Sequence, residues 1–198
     1  MPGTYDTHST ADVLVKDYAG EIEGKVILTT GVSPNGLGAF FVEHIAAANP
    51  KLLILAGRNH TKIQATADAV SKINPSVQTR ALQLDLESIK QIKEAGATVN
   101  GWADVPHIDV LVNNAGIMAC PYAKTEDGLE RQFATSHVGP FLFTNLIMKK
   151  ILASSMPRIV NVSSDGHRLS AIRWPDIGFA VSPDLSRTRY RRLGQIPC

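Results

Sequence analysis

Cysteine is scarce in this chain. Cys120 and Cys198 are its only two thiols, which excludes a disulfide framework and suits a reducing compartment. Long apolar runs are absent: none approaches the roughly 20 residues that a membrane span needs. The start, Met-Pro-Gly-Thr-Tyr-Asp, has no basic region followed by an apolar core, so no secretory signal is expected. The six histidines are scattered and none pairs at metal-ligand spacing. Internal repeats and low-complexity tracts are missing as well. Lysine is missing from part of the chain: none follows Lys150. A cytoplasmic protein without a metal site is expected.

Hydrophobic residues make up 44% of the 198, enough for one domain with a full core. The net charge is only +2, which does not call for nucleic acid, but it is uneven. From Asp165 onward six Arg stand against three Asp, a net +3, so the first 164 residues carry −1 (+2 minus +3). The basic excess therefore lies in the tail.

The stretch Lys25-Val-Ile-Leu-Thr-Thr-Gly-Val-Ser-Pro-Asn-Gly-Leu-Gly38 organises the rest. Val26 to Leu28 read as a buried parallel strand. A turn of Gly, Ser, Pro and Asn follows. A helix comes next, with Leu37, Phe41, Ile45 and Ala48 expected on its inner face. Strand, glycine turn and helix start together suit a phosphate, because glycines let the backbone approach and the first helical N–H groups bind charge. The plainer alternative is a tight strand-to-helix connection.

Beyond it, strands and helices alternate. Strands are expected at Leu52–Ala56, Val77–Leu84, Val110–Val112 and Arg158–Val162. Helices are expected at Thr61–Ile73, with Ile63, Ala67 and Val70 inward, at Ser88–Ala97, and over a long region from Gly128 to Ser155. This alternation predicts an α/β fold, a doubly wound parallel sheet. An arm of residues 1–22 precedes a domain of 23–175, and a basic tail of 176–198 follows.

Chemistry-bearing residues fall at the carboxyl ends of the strands, where ligands of such sheets bind. After the second strand stands Arg58 where a carboxylate would hold the ribose 2′-OH of NAD. Its fork of donors suits a 2′-phosphate, so NADP is favoured; a solvated surface Arg is the alternative. After the third strand stands Asp85, able to accept from an adenine amino group or to cap the next helix. Asn113-Asn-Ala-Gly116 follows the fourth strand and Val162-Ser-Ser-Asp-Gly166 the fifth.

Taken in order, Thr30-Gly31…Gly36-Leu-Gly38, Asp85, Asn113-Asn-Ala-Gly116, Glu130-Arg-Gln-Phe-Ala-Thr135 with His137-Val-Gly139, and Val160-Asn-Val-Ser-Ser164 resemble the short-chain dehydrogenase/reductase family over about residues 22 to 175. The retinol-dehydrogenase-like and fungal members are the most similar in pattern. The resemblance implies a Rossmann-type sheet and a small carbonyl or alcohol substrate, with no nucleic acid partner. It implies that Gly31, Ser33, Gly36, Leu37 and Gly38 cradle the pyrophosphate, Arg58 selects NADP, Asp85 touches adenine, Asn114 the ribose, and Ser164 the substrate carbonyl. A place in fungal secondary metabolism would fit it.

Three departures from the family pattern stand out. Four residues, Val32-Ser-Pro-Asn35, separate the first two glycines where the family has three. Ser136 replaces an Asn whose backbone carbonyl holds a relay water. Pro140, four residues on, cannot donate to that carbonyl and is expected to bend the helix; a kink that serves packing alone is the alternative. Last, no Tyr-x-x-x-Lys follows Ser164. Tyr190 falls near the expected place of the proton donor, but Gly194 stands where its Lys would be. Tyr190 is thus either a weak donor or part of a basic tail. The resemblance predicts a chain incomplete at its C-terminus, with an uncovered sheet face open to a homo-oligomer or a partner. It leaves open a slow or inactive oxidoreductase, a non-catalytic NADP-binding module, or a relic.

Overall fold

The innermost strand, β1 (Val26–Thr30), is buried at every position. A computed structural model describes residues 4–169, 171–172 and 174–179. In it β1 pairs in parallel with β2 (Leu52–Gly57) on one side and with β4 (Val110–Asn113) on the other. β3 (Gln78–Gln83) lies outside β2, and β5 (Arg158–Asn161) outside β4. The order 3-2-1-4-5, all parallel, reverses direction of growth at β1. That reversal opens a crevice between the loops that leave β1 and β4.

Apolar side chains alternate across the sheet because strand residues point to opposite faces. Leu28, Ile54, Leu82 and Leu111 face one way and pack with α5 (Ile89–Gly101), α7 (Gly139–Leu146) and α8 (Met148–Leu152). Ile27, Leu53, Leu55 and Val112 face the other way, beneath α3 (Leu37–Ile45) and α4 (His60–Ile73). The expected N-terminal arm forms two short helices, α1 (Ala11–Asp17) and α2 (Ala19–Ile22), whose Val15 and Ile22 pack on this second core.

Two helices differ from the expectation. In α3 the buried residues are Gly38, Ala39, Val42 and Ile45, while Leu37 is 76% exposed. Phe41, Ile45 and Ala48 pack inward as expected; only Leu37 turns out, because Gly38 takes the place against the end of β1, as described below. The long helix expected from Gly128 starts later and is broken. Glu130 caps α6 (Arg131–Phe133) by accepting the N–H groups of Gln132 and Phe133 at 3.0 and 2.7 Å. Residues Ala134–Val138 then form a π turn, in which Gly139 N–H reaches the Ala134 carbonyl. Pro140, with no N–H for the Ser136 carbonyl, follows at the start of α7. A widened π turn thus stands just before Pro140, where a bend was expected.

At the amino end of the sheet Asp109 ties three strands together. Its backbone bonds to Val26 on β1 and Arg158 on β5, while its carboxylate accepts Val26 N–H at 2.8 Å and the Ser154 hydroxyl at 2.6 Å. Burial raises the pKa of this carboxyl. The Ser154 and Val26 hydrogen bonds and the charges of His107 and Lys25 outweigh it, and the net pKa lies below the ordinary value. A carboxyl with a lowered folded pKa adds stability above its unfolded value, and that stability is lost as pH falls through the folded value. Asp109→Asn should cost about 1–3 kcal/mol in urea unfolding at pH 7. The gap between variant and parent should narrow as pH drops below about 3.9, the ordinary Asp value; a gap independent of pH would contradict this assignment.

Candidate nucleotide groove and active site

A groove of about 400 Å³ opens at the carboxyl ends of β1 to β4. Its floor is the turn after β1. Gly31 has φ +74°, and a Cβ there would stand 2.8 Å from the Cα of Ala115. Gly38 is tighter: a Cβ would lie 2.5 Å from both the Gly31 carbonyl oxygen and the Asn114 amide nitrogen. The first turn of α3 can rest on the end of β1 only because residue 38 has no side chain. The additional loop residue is absorbed in a turn closed by Gly36 N–H to the Ser33 carbonyl at 3.0 Å. Pro34 and Asn35 (φ +64°) occupy its centre, as a type II turn requires.

Asn114 locks this floor to β4. Its side-chain amide donates to the Thr30 carbonyl at 2.9 Å and to the Gly31 carbonyl at 3.1 Å. The Thr30 hydroxyl in turn accepts the N–H groups of Asn114 and Ala115. Asn113 points to the other side and bridges to Thr144 and to Asn161 on β5. Neighbouring asparagines thus tie β4 to β1 and to β5.

Of the residues singled out in the sequence, Gly31, Ser33, Leu37, Arg58 and Asn114 line the groove. Gly36 is the N-cap of α3 and Gly38 is buried behind the floor. Asp85 lies between two lining residues, Leu84 and Leu86, and one carboxylate oxygen accepts Glu87 N–H at 2.9 Å. Ser88, not Asp85, caps α5. Ser136 is not a lining residue; it follows Thr135, which is, and its hydroxyl lies 3.3 Å from Ile117 N and 3.4 Å from Ile117 O. Ser164 lies beyond β5, exposed, with its oxygen accepting Gly166 N–H at 3.1 Å. Tyr190 lies outside the described residues.

The structure adds residues that sequence reasoning missed. Lys62, on the first turn of α4, lines the groove near Arg58. Its signal was a second cation four residues after Arg58. Glu87 and Arg131 had no linear signal, since they reach the site from 29 and 73 positions away from Arg58 (87 − 58 and 131 − 58). Glu87 accepts from Arg58 at 2.9 Å and from Arg131 at 3.0 Å. The Glu87 hydrogen bond and charge push the Arg131 pKa above its ordinary value.

The groove has the donors and apolar walls that an anionic, ring-bearing ligand needs. No side chain caps α3, so the N–H groups of its first turn keep their donors for an anion. Arg58 and Lys62 add positive charge at one end, and Leu37, Leu84, Leu86 and Ile117 offer apolar walls for flat rings. A second groove, of about 490 Å³, lies at the amino ends around Lys25, Asp109 and Arg158. No glycine lines it, and its Asp109 carboxylate is already engaged with Ser154 and Val26. No helix among the described residues is long and apolar enough to cross a membrane.

Comparison with known proteins agrees with this geometry. A family model described as short chain dehydrogenase matches residues 25–175. An oxidoreductase of Fusarium equiseti, fscI, is 37% identical over 186 residues, covering 91% of this chain and 71% of that one. Human retinol dehydrogenase 13 is 36% identical over 192 residues, covering 93% of this chain and 57% of that one. A crystal structure of an uncharacterised protein from Mycobacterium paratuberculosis superposes with a TM-score of 0.65 at 31% identity, over 86% of this chain and 60% of the other. The chain spans about half the length of the retinol dehydrogenases it matches. With this sheet, this glycine turn and these relatives, the chain belongs to the short-chain dehydrogenase/reductase family and resembles its retinol dehydrogenases.

Proposed function

We propose that this chain binds NADP in the carboxyl-end groove and serves an oxidoreductase reaction between a ketone and a secondary alcohol. The observation that carries the reading is the joint placement of the Gly31–Gly38 turn, the uncapped start of α3 and Arg58 around one groove. The Fusarium equiseti relative is named an oxidoreductase and the human one a retinol dehydrogenase, which supports the alcohol/carbonyl substrate class.

In this reading the backbone of Gly31, Ser33, Gly36 and Leu37 holds the pyrophosphate, and Gly38 permits the approach of α3. Asn114 stands beside the ribose and Asp85 offers its second oxygen to adenine. Arg58 and Lys62 hold the 2′-phosphate. The bound nicotinamide supplies or accepts the hydride. Ser164 keeps its hydroxyl hydrogen for the substrate oxygen, since its oxygen is an acceptor toward Gly166. At Ser136 the backbone carbonyl is spared an N–H from residue 140, which leaves it able to hold a water in a proton path.

The acid is the weak link. No Tyr-x-x-x-Lys follows Ser164, and Tyr190 has Gly194 in place of a Lys. General acid help is worth about 10²–10⁴-fold, so turnover by these 198 residues should be slow. This absence also favours a second reading, a nucleotide-binding module without turnover. A cytoplasmic location is part of this proposal, supported by the scarcity of cysteine.

Calorimetric titration of NADPH and NADH separates the parts of this account. Arg58→Ala should weaken NADPH by about 10- to 100-fold, the value of a charged hydrogen-bonded contact, and leave NADH within about twofold. Equal affinity for NADPH before and after the change would contradict the NADP assignment. Gly38→Ala should weaken NADPH and NADH alike, because the added Cβ pushes α3 off Gly31, and should cost about 1–3 kcal/mol of stability. NADPH oxidation with added ketones then tells slow catalysis from binding alone.

A further inference from the structure

We infer that Glu87 is a positioning residue for Arg58: held by Arg131, it fixes the Arg58 guanidinium by one corner and leaves the opposite fork free for the 2′-phosphate. This rests on the NADP reading of the groove.

Each carboxylate oxygen of Glu87 takes one guanidinium. Oε1 accepts from Arg58 Nη1 at 2.9 Å and Oε2 from Arg131 Nε at 3.0 Å. Glu87 and Arg131 are themselves placed by the fold. Glu87 is set by its own N–H bond to Asp85, and Arg131 starts α6, with its N–H on the Ala123 carbonyl at 3.0 Å. With Oε2 held by Arg131, Glu87 meets Arg58 through Oε1 alone. Arg58 therefore gives up a single corner. Its Nε–Nη2 edge has no partner among the described residues, and a guanidinium edge of this kind grips a phosphate through two parallel bonds. Arg58 and Arg131 balance Glu87 and the neighbouring Asp85, and Lys62 on the same groove leaves the charge positive.

The arrangement is poorly explained as a source of stability. The Arg58 side chain is 53% exposed, and exposed ion pairs contribute little. Ordering counts for more. A free Arg at this rim would have to be immobilised when the nucleotide arrives, whereas a held one is already in place.

The sign of one substitution tests this. By charge alone, removing the Glu87 carboxylate should tighten the binding of a phosphate. By positioning, Glu87→Ala should weaken adenosine 2′,5′-bisphosphate by about three- to tenfold, with AMP affinity and melting temperature unchanged. Calorimetry with these two probes on the full chain reads the difference. Arg131→Met should also weaken the bisphosphate, and its effect should shrink in the Glu87→Ala background if it acts through Glu87. Tighter or unchanged bisphosphate binding in Glu87→Ala would overturn the inference, as would equal weakening of both probes. Arg58→Ala separates the two levels: if it weakens the bisphosphate while Glu87→Ala does not, NADP selection stands and positioning falls. If Arg58→Ala has no effect on the bisphosphate, both fall.

Discussion

The Asn114 side chain sets the geometry on which the groove depends. The carbonyls of Thr30 and Gly31 stand at the carboxyl end of β1, beside the loop that leaves β4. Asn114 supplies two donors to them from the neighbouring strand. The Thr30 hydroxyl answers by accepting two backbone N–H groups of the β4 loop. Four hydrogen bonds thus join the two loops that diverge at the reversal of the sheet. Each contributes about 0.5–1.5 kcal/mol net, but their larger effect is positional. They press the β1 turn against Asn114 and Ala115 so closely that only glycine fits at 31 and 38.

Polar and charged groups on the two ends of the sheet have different tasks. At the amino end Asp109 satisfies a strand N–H and a helix-end serine, and its carboxylate is fully used. At the carboxyl end donors are in excess. The first turn of α3 has no cap, Arg58 uses one of its five N–H groups, and Lys62 stands on the groove wall. Unused donors gathered around an apolar-walled groove are what an anionic, ring-bearing ligand requires.

Much of the fold was legible because strand and helix periods differ. The runs at Val26, Leu52 and Val110 were apolar enough to mark buried parallel strands, and glycines marked the turn. On α3 and just beyond it, Phe41, Ile45 and Ala48 were placed rightly toward the core and Leu37 was not. Reading Leu37 as core followed hydrophobicity, whereas the close approach at Gly38 decides which side of the helix meets the sheet. The helix after Gly128 was overextended because apolar periodicity is blind to the Glu130 cap and to the π turn before Pro140. Arg58 was visible as a cation after a strand. Its partners were not, since Glu87 and Arg131 meet it only through the packing of loops distant in sequence. Ser164 was found by its place after β5, while Tyr190 lies outside the described residues.

The central claim is that one groove, built on the β1 turn, receives the nucleotide. Hydrogen exchange of the chain with and without saturating NADPH tests it most directly. The account predicts slowed exchange at the amides of Leu37, Gly38 and Ala39, at 58–62 and at 114–117, with the amino-end groove around Lys25 and Arg158 unchanged. No protection at Leu37 to Ala39, or protection confined to the amino end, would contradict it.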